Sequence, residues 1–199
     1  MKKVQDHYFQ KAKQEGFAAR SAYKLQEIDQ KHKILSNGNY VLDLGCFPGS
    51  WMQYISQNIG KNGRVVGIDR TELKIHLKEN MRFVHSDIND LDLSTPGEYA
   101  DRYHVICSDM APNTTGNKNV DAERSIQLCE TALYIARHWL MTRGTLLVKA
   151  LQGGPFDRFL KQMREEYSKV KIVKPKSSRS ESKEIFVLGL DKKTILIKD

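Results

Sequence analysis

Cysteine is scarce in this chain and scattered. The 199 residues hold three, Cys46, Cys107 and Cys129, and none falls in a C-x-x-C or zinc-type spacing. An odd number of widely separated thiols excludes a disulfide framework and reads as reduced, mostly buried cysteine of a cytosolic-type compartment. Long apolar runs are missing too: nothing approaches the ~18 residues of a membrane span. The opening MKKVQDHYFQ has two lysines but no apolar stretch behind them, so it does not read as a secretory signal. It is also too acidic and too short for a transit peptide. Internal repeats and low-complexity tracts are absent. The isolated histidines His7, His85, His104 and His138 read as surface or packing residues, and no metal-ligand set is expected.

Basic charge, by contrast, is in excess. Lys and Arg number 32 against 24 Asp and Glu, a formal net charge of +8. Residues 1–33 hold eight basic and four acidic side chains, net +4, and residues 161–183 hold eight and three, net +5. The rest of the chain is close to neutral. Two basic segments flanking a neutral core make a polyanion-binding face if the fold brings them together, and ordinary solvated lysines if it does not. An apolar fraction of 40% and a charged fraction of 28% suit one globular domain over residues 1–199.

Helical and strand periods alternate along the chain. A first amphipathic helix fits roughly 18–31, with Ala22, Leu25 and Ile28 on one side. NYVLDLG (39–45) reads as a buried strand and Ser50 to Ile59 as the helix after it. RVVGID (64–69), RFVHSD (82–87) and YHVICSD (103–109) read as further strands. The strongest helical pattern spans 121–141, opening on an aspartate. GTLLVKA (144–150) is a fifth strand, and 155–167 a helix with proline in its first turn. KVKIVKP (169–175) alternates as an edge strand should, and EIFVLGL (184–190) is the last. The basic, serine-rich stretch 174–183 reads as a mobile loop. Such alternation predicts a doubly wound α/β sheet with its site at the carboxyl ends of parallel strands.

The first strand runs into DLGCFPGSW (43–51), a strand-to-helix turn whose glycines at 45 and 49 allow close backbone approach to a ligand. The spacing is G-x-x-x-G, not the G-x-G-x-x-G of NAD-binding domains. Asp43, Asp69 and Asp87 close three successive strands. Acids there would repel a pyrophosphate; they suit a ligand with ribose hydroxyls and a positive charge, as S-adenosylmethionine has. Lys149, at the mouth of an otherwise apolar strand, is costly unless it is paired or has chemistry to do.

Taken together, DLGCFPGSW, RVVGID, FVHSD, CSDMAPNTTG, LLVKALQG and KPKSSRSESKEIF resemble, in order and spacing, the FtsJ (RrmJ) ribosomal RNA 2′-O-methyltransferases. FAARSAYKLQEID resembles that family's N-terminal helix, so the resemblance runs from about Asp6 to Leu190. It implies a Rossmann-like, S-adenosylmethionine-dependent methyltransferase fold: a mostly parallel sheet in the order 3-2-1-4-5-7-6, strand 7 antiparallel, with helices on both faces. A basic helical segment over about residues 1–35 is expected to contribute to the RNA face. The family's Lys-Asp-Lys-Glu tetrad falls on Lys24, Asp109, Lys149 and Glu184. Its cofactor contacts fall on the loop at Gly45, Pro48, Gly49, Ser50 and Trp51, and on the acids Asp69, Asp87 and Asp109. Three departures stand out: Cys46-Phe47 replaces small residues, Ser50 a glycine, and Phe186 a tyrosine.

The implied reaction is attack of a ribose 2′ oxygen on a sulfonium methyl group, for which Lys149 is the candidate base or orienting group. The implied partner is RNA, most directly a uridine of large-subunit ribosomal RNA, free or in the assembled subunit. The expected protein is a monomeric, cytoplasmic enzyme of ribosome biogenesis. Transfer RNA or an mRNA cap is the alternative substrate, and a non-catalytic RNA-binding module the alternative of another class. A small-molecule O-methyltransferase is disfavoured by the basic charge and the lack of spare length for a substrate-covering insertion, and a nicotinamide-dependent reductase by the loop spacing. Lys11, Lys13, Arg20, Arg179 and Lys183 are the candidate phosphate contacts.

Overall fold

The computed structural model describes residues 2–93, 103–178 and 182–194, with side chains from His7 onward. Seven strands, β1 (Tyr40–Leu44), β2 (Arg64–Asp69), β3 (Met81–His85), β4 (Tyr103–Ser108), β5 (Leu140–Leu151), β6 (Tyr167–Val173) and β7 (Glu184–Lys192), form one sheet. Its order is β3-β2-β1-β4-β5-β7-β6. β7 is antiparallel to both neighbours, and the other pairings are parallel. Order and direction are those the family resemblance implies.

The two-residue period of the strands splits the core into two layers. Leu42, Leu44, Val66 and Ile106 face α4 (Lys118–Trp139) and α5 (Phe156–Glu166). Val41, Val65, Val105 and Leu147 face α2 (Ala22–His32) and α3 (Ser50–Ile59). The Rossmann-like sheet is thus covered on both faces, as parallel strands require.

Several boundaries differ from the sequence reading. The N-terminal segment is two helices, α1 (Lys2–Gln14) and α2. Gly16, at φ +75°, ends α1 in a left-handed turn that lets the Phe17 amide reach the Ala12 carbonyl at 2.9 Å. α4 opens not at Asp121 but at Lys118, because Asn117 caps it through the amides of Asn119 and Val120. Asp121 instead accepts from the Thr115 amide and hydroxyl, at 2.7 and 2.9 Å, pinning the loop before the helix. β5 begins four residues early, across a bulge at which the β4 register jumps from Leu140 to Thr145. α4 therefore passes straight into β5, and the Lys192 ammonium meets its open carbonyls, donating to Ala136, Arg137 and Leu140 at 2.6–2.9 Å.

The stretch expected to be a mobile loop is tied down where it is described. Glu27 of α2 accepts from the consecutive amides of Lys176 and Ser177 at 2.6 and 2.9 Å. Arg20 donates to the Ser177 carbonyl at 2.6 Å. The two basic segments of the sequence therefore meet across α2.

A charged rim and an acidic cavity at the carboxyl end of the sheet

β4 and β5 run side by side with Ser108 next to Val148, so the next residues, Asp109 and Lys149, reach the same edge of the sheet. β7 returns against β5, pairing Glu184 with Leu151, which sets the start of β7 beside the end of β5. Lys149 Nζ donates a hydrogen bond to the Asp109 carbonyl at 2.6 Å. It also lies 3.0 Å from Asp109 Oδ1, an ionic contact, and 3.9 Å from Glu184 Oε1. Lys24, from α2, donates to Glu184 Oε2 at 3.1 Å. The four side chains of the expected tetrad thus form one alternating chain of charge, although Lys24 and Glu184 are 160 residues apart.

Electrostatics within the rim follow from this order. Burial alone would raise the Glu184 carboxyl; the charges of Lys24 and Lys149, with hydrogen bonds from Lys24 and Ser182, outweigh it and leave its pKa below the usual value. The Lys149 side chain is only 7% exposed and that of Lys24 13%. Buried ion pairs rarely improve stability over apolar packing.

α2 is latched over this rim. The Trp51 indole N–H donates to the Ser21 carbonyl at 2.8 Å, and the Ser21 and Ser50 hydroxyls are hydrogen-bonded at 2.8 Å. The Ser50 departure is therefore used: its hydroxyl fastens the turn that precedes Lys24. Phe186, fully buried, packs on Trp51 with ring centroids 5.8 Å apart and lies under the Lys24 ammonium at 5.9 Å.

Beside the rim, at the ends of β1 to β4, is a cavity of about 580 Å³ whose lining includes Gly45, Asp69, Asp87 and Asp109. Asp109 belongs to both cavity and rim. Both Asp69 oxygens are oriented by backbone donors, Phe47 N at 2.9 Å and Thr71 N at 2.7 Å, leaving further lone pairs for a ligand's hydroxyls. Asp87 caps the short 3₁₀ turn Ile88–Asp90 through the Asn89 amide. Gly45 is required by its φ of +73° and by Met110, whose Cγ would stand 2.3 Å from an added Cβ. Gly49 is required likewise, at φ +105° with Ile75 Cδ1 at 2.4 Å. Pro48, Gly49, Ser50 and Trp51 are not among the cavity's lining residues; they shape the loop and hold α2.

The third acid of the sequence pattern behaves differently. Asp43 shares the face of Val41, is fully buried, and has no hydrogen-bond partner for either oxygen among the described residues. Burial first, then the charges of Asp109 and Asp69, push its pKa well up. It lies beneath the loop rather than in the cavity. The opposite wall went unread in the sequence: Arg124, Gln127, Leu128 and Thr131 of α4 line the cavity. Their i, i+3, i+4, i+7 spacing marks one helix face, but that spacing alone does not say what the face looks onto.

Of the candidate phosphate contacts, Lys13 and Lys183 are exposed. Lys11 lies 3.8 Å from Glu15 and Arg20 is engaged with Ser177; Arg179 lies outside the described residues. Three of the histidines hydrogen-bond the backbone: His104 Nδ1 accepts from the Tyr40 amide, and His85 and His138 bond the Arg70 and Tyr134 carbonyls. No helix among the described residues is long and apolar enough to cross a membrane.

Comparison with known proteins bears on the family and the fold. The sequence pattern of the FtsJ-like methyltransferase family matches residues 17–192. A Bdellovibrio bacteriovorus protein named Ribosomal RNA large subunit methyltransferase E is 46% identical over 191 residues, covering 94% of this chain and 97% of that protein. A Desulfatibacillum aliphaticivorans protein of the same name is also 46% identical, covering 94% of this chain and 91% of the relative. Among solved structures, a Plasmodium falciparum protein described as a ribosomal RNA methyltransferase superimposes with a TM-score of 0.76 at 27% identity, over 88% of this chain and 98% of its own.

Proposed function

The chain belongs to the FtsJ-like methyltransferase family, and from that premise we propose that it methylates the 2′-hydroxyl of a ribose in large-subunit ribosomal RNA, with S-adenosylmethionine as donor. The observation that carries the reading is the rim of Lys24, Asp109, Lys149 and Glu184 meeting an acid-lined cavity at Asp109. The cavity suits this cofactor: Asp69 has free lone pairs for ribose hydroxyls, Asp87 can accept from an adenine amino group, and Asp109 brings negative charge to a cationic ligand. When bound, the cofactor supplies an electrophilic methyl group.

The protein's part is alignment and proton handling. Lys149 hydrogen-bonds the 2′ oxygen at the rim, and in its neutral form accepts the hydroxyl proton as the oxygen–methyl bond forms and the sulfur–methyl bond breaks. Asp109, bonded through carbonyl and carboxylate, fixes the amine. Glu184 holds Lys149 and Lys24 together, and Lys24 steers the ribose or its phosphate. A 2′-hydroxyl target means RNA. The names of the relatives direct the reading to the large subunit, and the target nucleotide we propose there is a uridine. The basic segments joined across α2 supply the RNA face of one domain, working as a cytoplasmic monomer.

The test is transfer of tritiated methyl from S-adenosylmethionine to large-subunit RNA, free and in assembled subunits, by wild type and Lys149→Ala. Label is expected in an alkali-resistant dinucleotide, reduced at least about a hundredfold in the variant. Label on a base, or none on ribosomal RNA, would overturn the reading. Single-turnover rates that rise with pH assign proton acceptance to Lys149; a flat profile leaves it orientation alone.

A further inference from the structure

Six large apolar side chains are exposed among the described residues: Phe9, Phe47, Leu77, Val120, Tyr134 and Ile172. Single exposed apolar residues are ordinary, but of these six Phe47 alone lines the cavity. We infer that Phe47 is a cofactor-binding residue, its ring forming an apolar wall against the adenosyl part of the bound cofactor. The inference rests on the cofactor reading above.

Backbone geometry fixes where the ring is anchored. The Phe47 amide donates to Asp69 Oδ2 at 2.9 Å, so the ring's own residue grips the carboxylate expected to take the ribose hydroxyls. Pro48 follows with its locked φ. The Gly49 amide then closes the turn onto the Cys46 carbonyl at 2.7 Å, and Gly49 is wedged against Ile75. A ligand held by Asp69 therefore lies beside a ring whose anchor cannot drift, and little ordering is left to be done on binding. With 46% of the residue exposed, the ring still has apolar surface to remove from water when the ligand arrives. Ile68, Ile88, Met110 and Leu128 also line the cavity, but each is less exposed than Phe47.

Packing against the adenosyl part predicts equal effects on S-adenosylmethionine and S-adenosylhomocysteine, which share it. Calorimetric titration of the full chain should show both Kd values raised about tenfold by Phe47→Ala and largely restored by Phe47→Leu. RNA affinity should stay unchanged. Because the side chain is half exposed, the melting temperature of the unliganded protein should hold, which separates weakened ligand binding from damage to the fold. Unchanged Kd values for both ligands overturn the inference, as does a loss confined to RNA binding, which would turn the ring toward substrate. If wild type itself binds neither ligand, or if Asp69→Ala binds as wild type does, the cofactor reading fails first. Normal binding by wild type and Phe47→Ala, with loss in Asp69→Ala, sinks only the role of Phe47.

Discussion

Replacing Lys149 with methionine keeps most of the side chain's volume and removes its charge. At an effective dielectric of 20, the contacts at 3.0 Å to Asp109 and 3.9 Å to Glu184 represent about 5.5 and 4.3 kcal/mol of gross attraction. Desolvation of an ammonium that is only 7% exposed offsets much of that. Removing one partner of a fully buried pair costs about 3–5 kcal/mol. Here Asp109 keeps some water, at 17% exposure, and Glu184 keeps Lys24, so the expected loss is about 2 kcal/mol. For a chain of this size that lowers Tm by about 4–8 °C, leaving the protein folded at 25 °C. Single-turnover methyl transfer at saturating RNA and donor should nevertheless fall by about 10²–10⁴. Differential scanning calorimetry and rapid-quench kinetics on the same preparation read both numbers. A variant that transfers methyl near the wild-type rate refutes the role of Lys149. One that melts at or above the wild-type temperature refutes the electrostatic accounting.

Glu184→Gln should flatten the acid limb of stability. The depressed carboxyl of Glu184 contributes stability above its unfolded pKa of about 4.3, and loses it as pH falls through the lower folded value. Urea midpoints between pH 6 and 3 should therefore drop further for wild type than for the variant; parallel curves would mean the two lysines do not hold it. Ser50→Gly places the glycine that the family resemblance implies but deletes the hydroxyl bond to Ser21, and should cost about 1 kcal/mol, or about 2–4 °C in Tm. An unchanged Tm would show that the latch rests on Trp51 alone. Lys13→Ala or Lys183→Ala should reduce the slope of log Kobs for RNA against log salt by about 0.7–0.9 for each phosphate the lysine neutralises; an unaltered slope removes that residue from the RNA face.

Much of the site was legible because its signals are local. Lys149 stands out at the end of an apolar run, Gly45 and Gly49 mark a turn that side chains would block, Asp69 ends an apolar strand, and Asp87 follows two residues after another, β3 ending at His85 rather than at Asp87 as its sequence suggests. What was missed depends on direction or on distant partners. Asp43 belongs to the same strand-end pattern as Asp69, yet the two-residue period of β1 turns it under the loop, where burial keeps it from any ligand. The cavity face of α4 has a clear helical spacing with nothing nearby in sequence to say what it faces. The stretch after Pro175 looks like a free basic loop until Glu27, about 150 residues earlier, captures its amides.

By itself, then, the sequence determined the kinds of element, their order, and the residue types available for chemistry, since periodicity, turn residues and strand ends are properties of neighbours in the chain. The tertiary structure decided which charges share a rim. Glu184 reaches Lys149 only because β7 inserts antiparallel beside β5, and Lys24 reaches Glu184 only because Ser21, Ser50 and Trp51 latch α2 above them. Such pairings are set by sheet topology and by packing between segments distant in sequence, and no local pattern encodes the distance between two such segments in space.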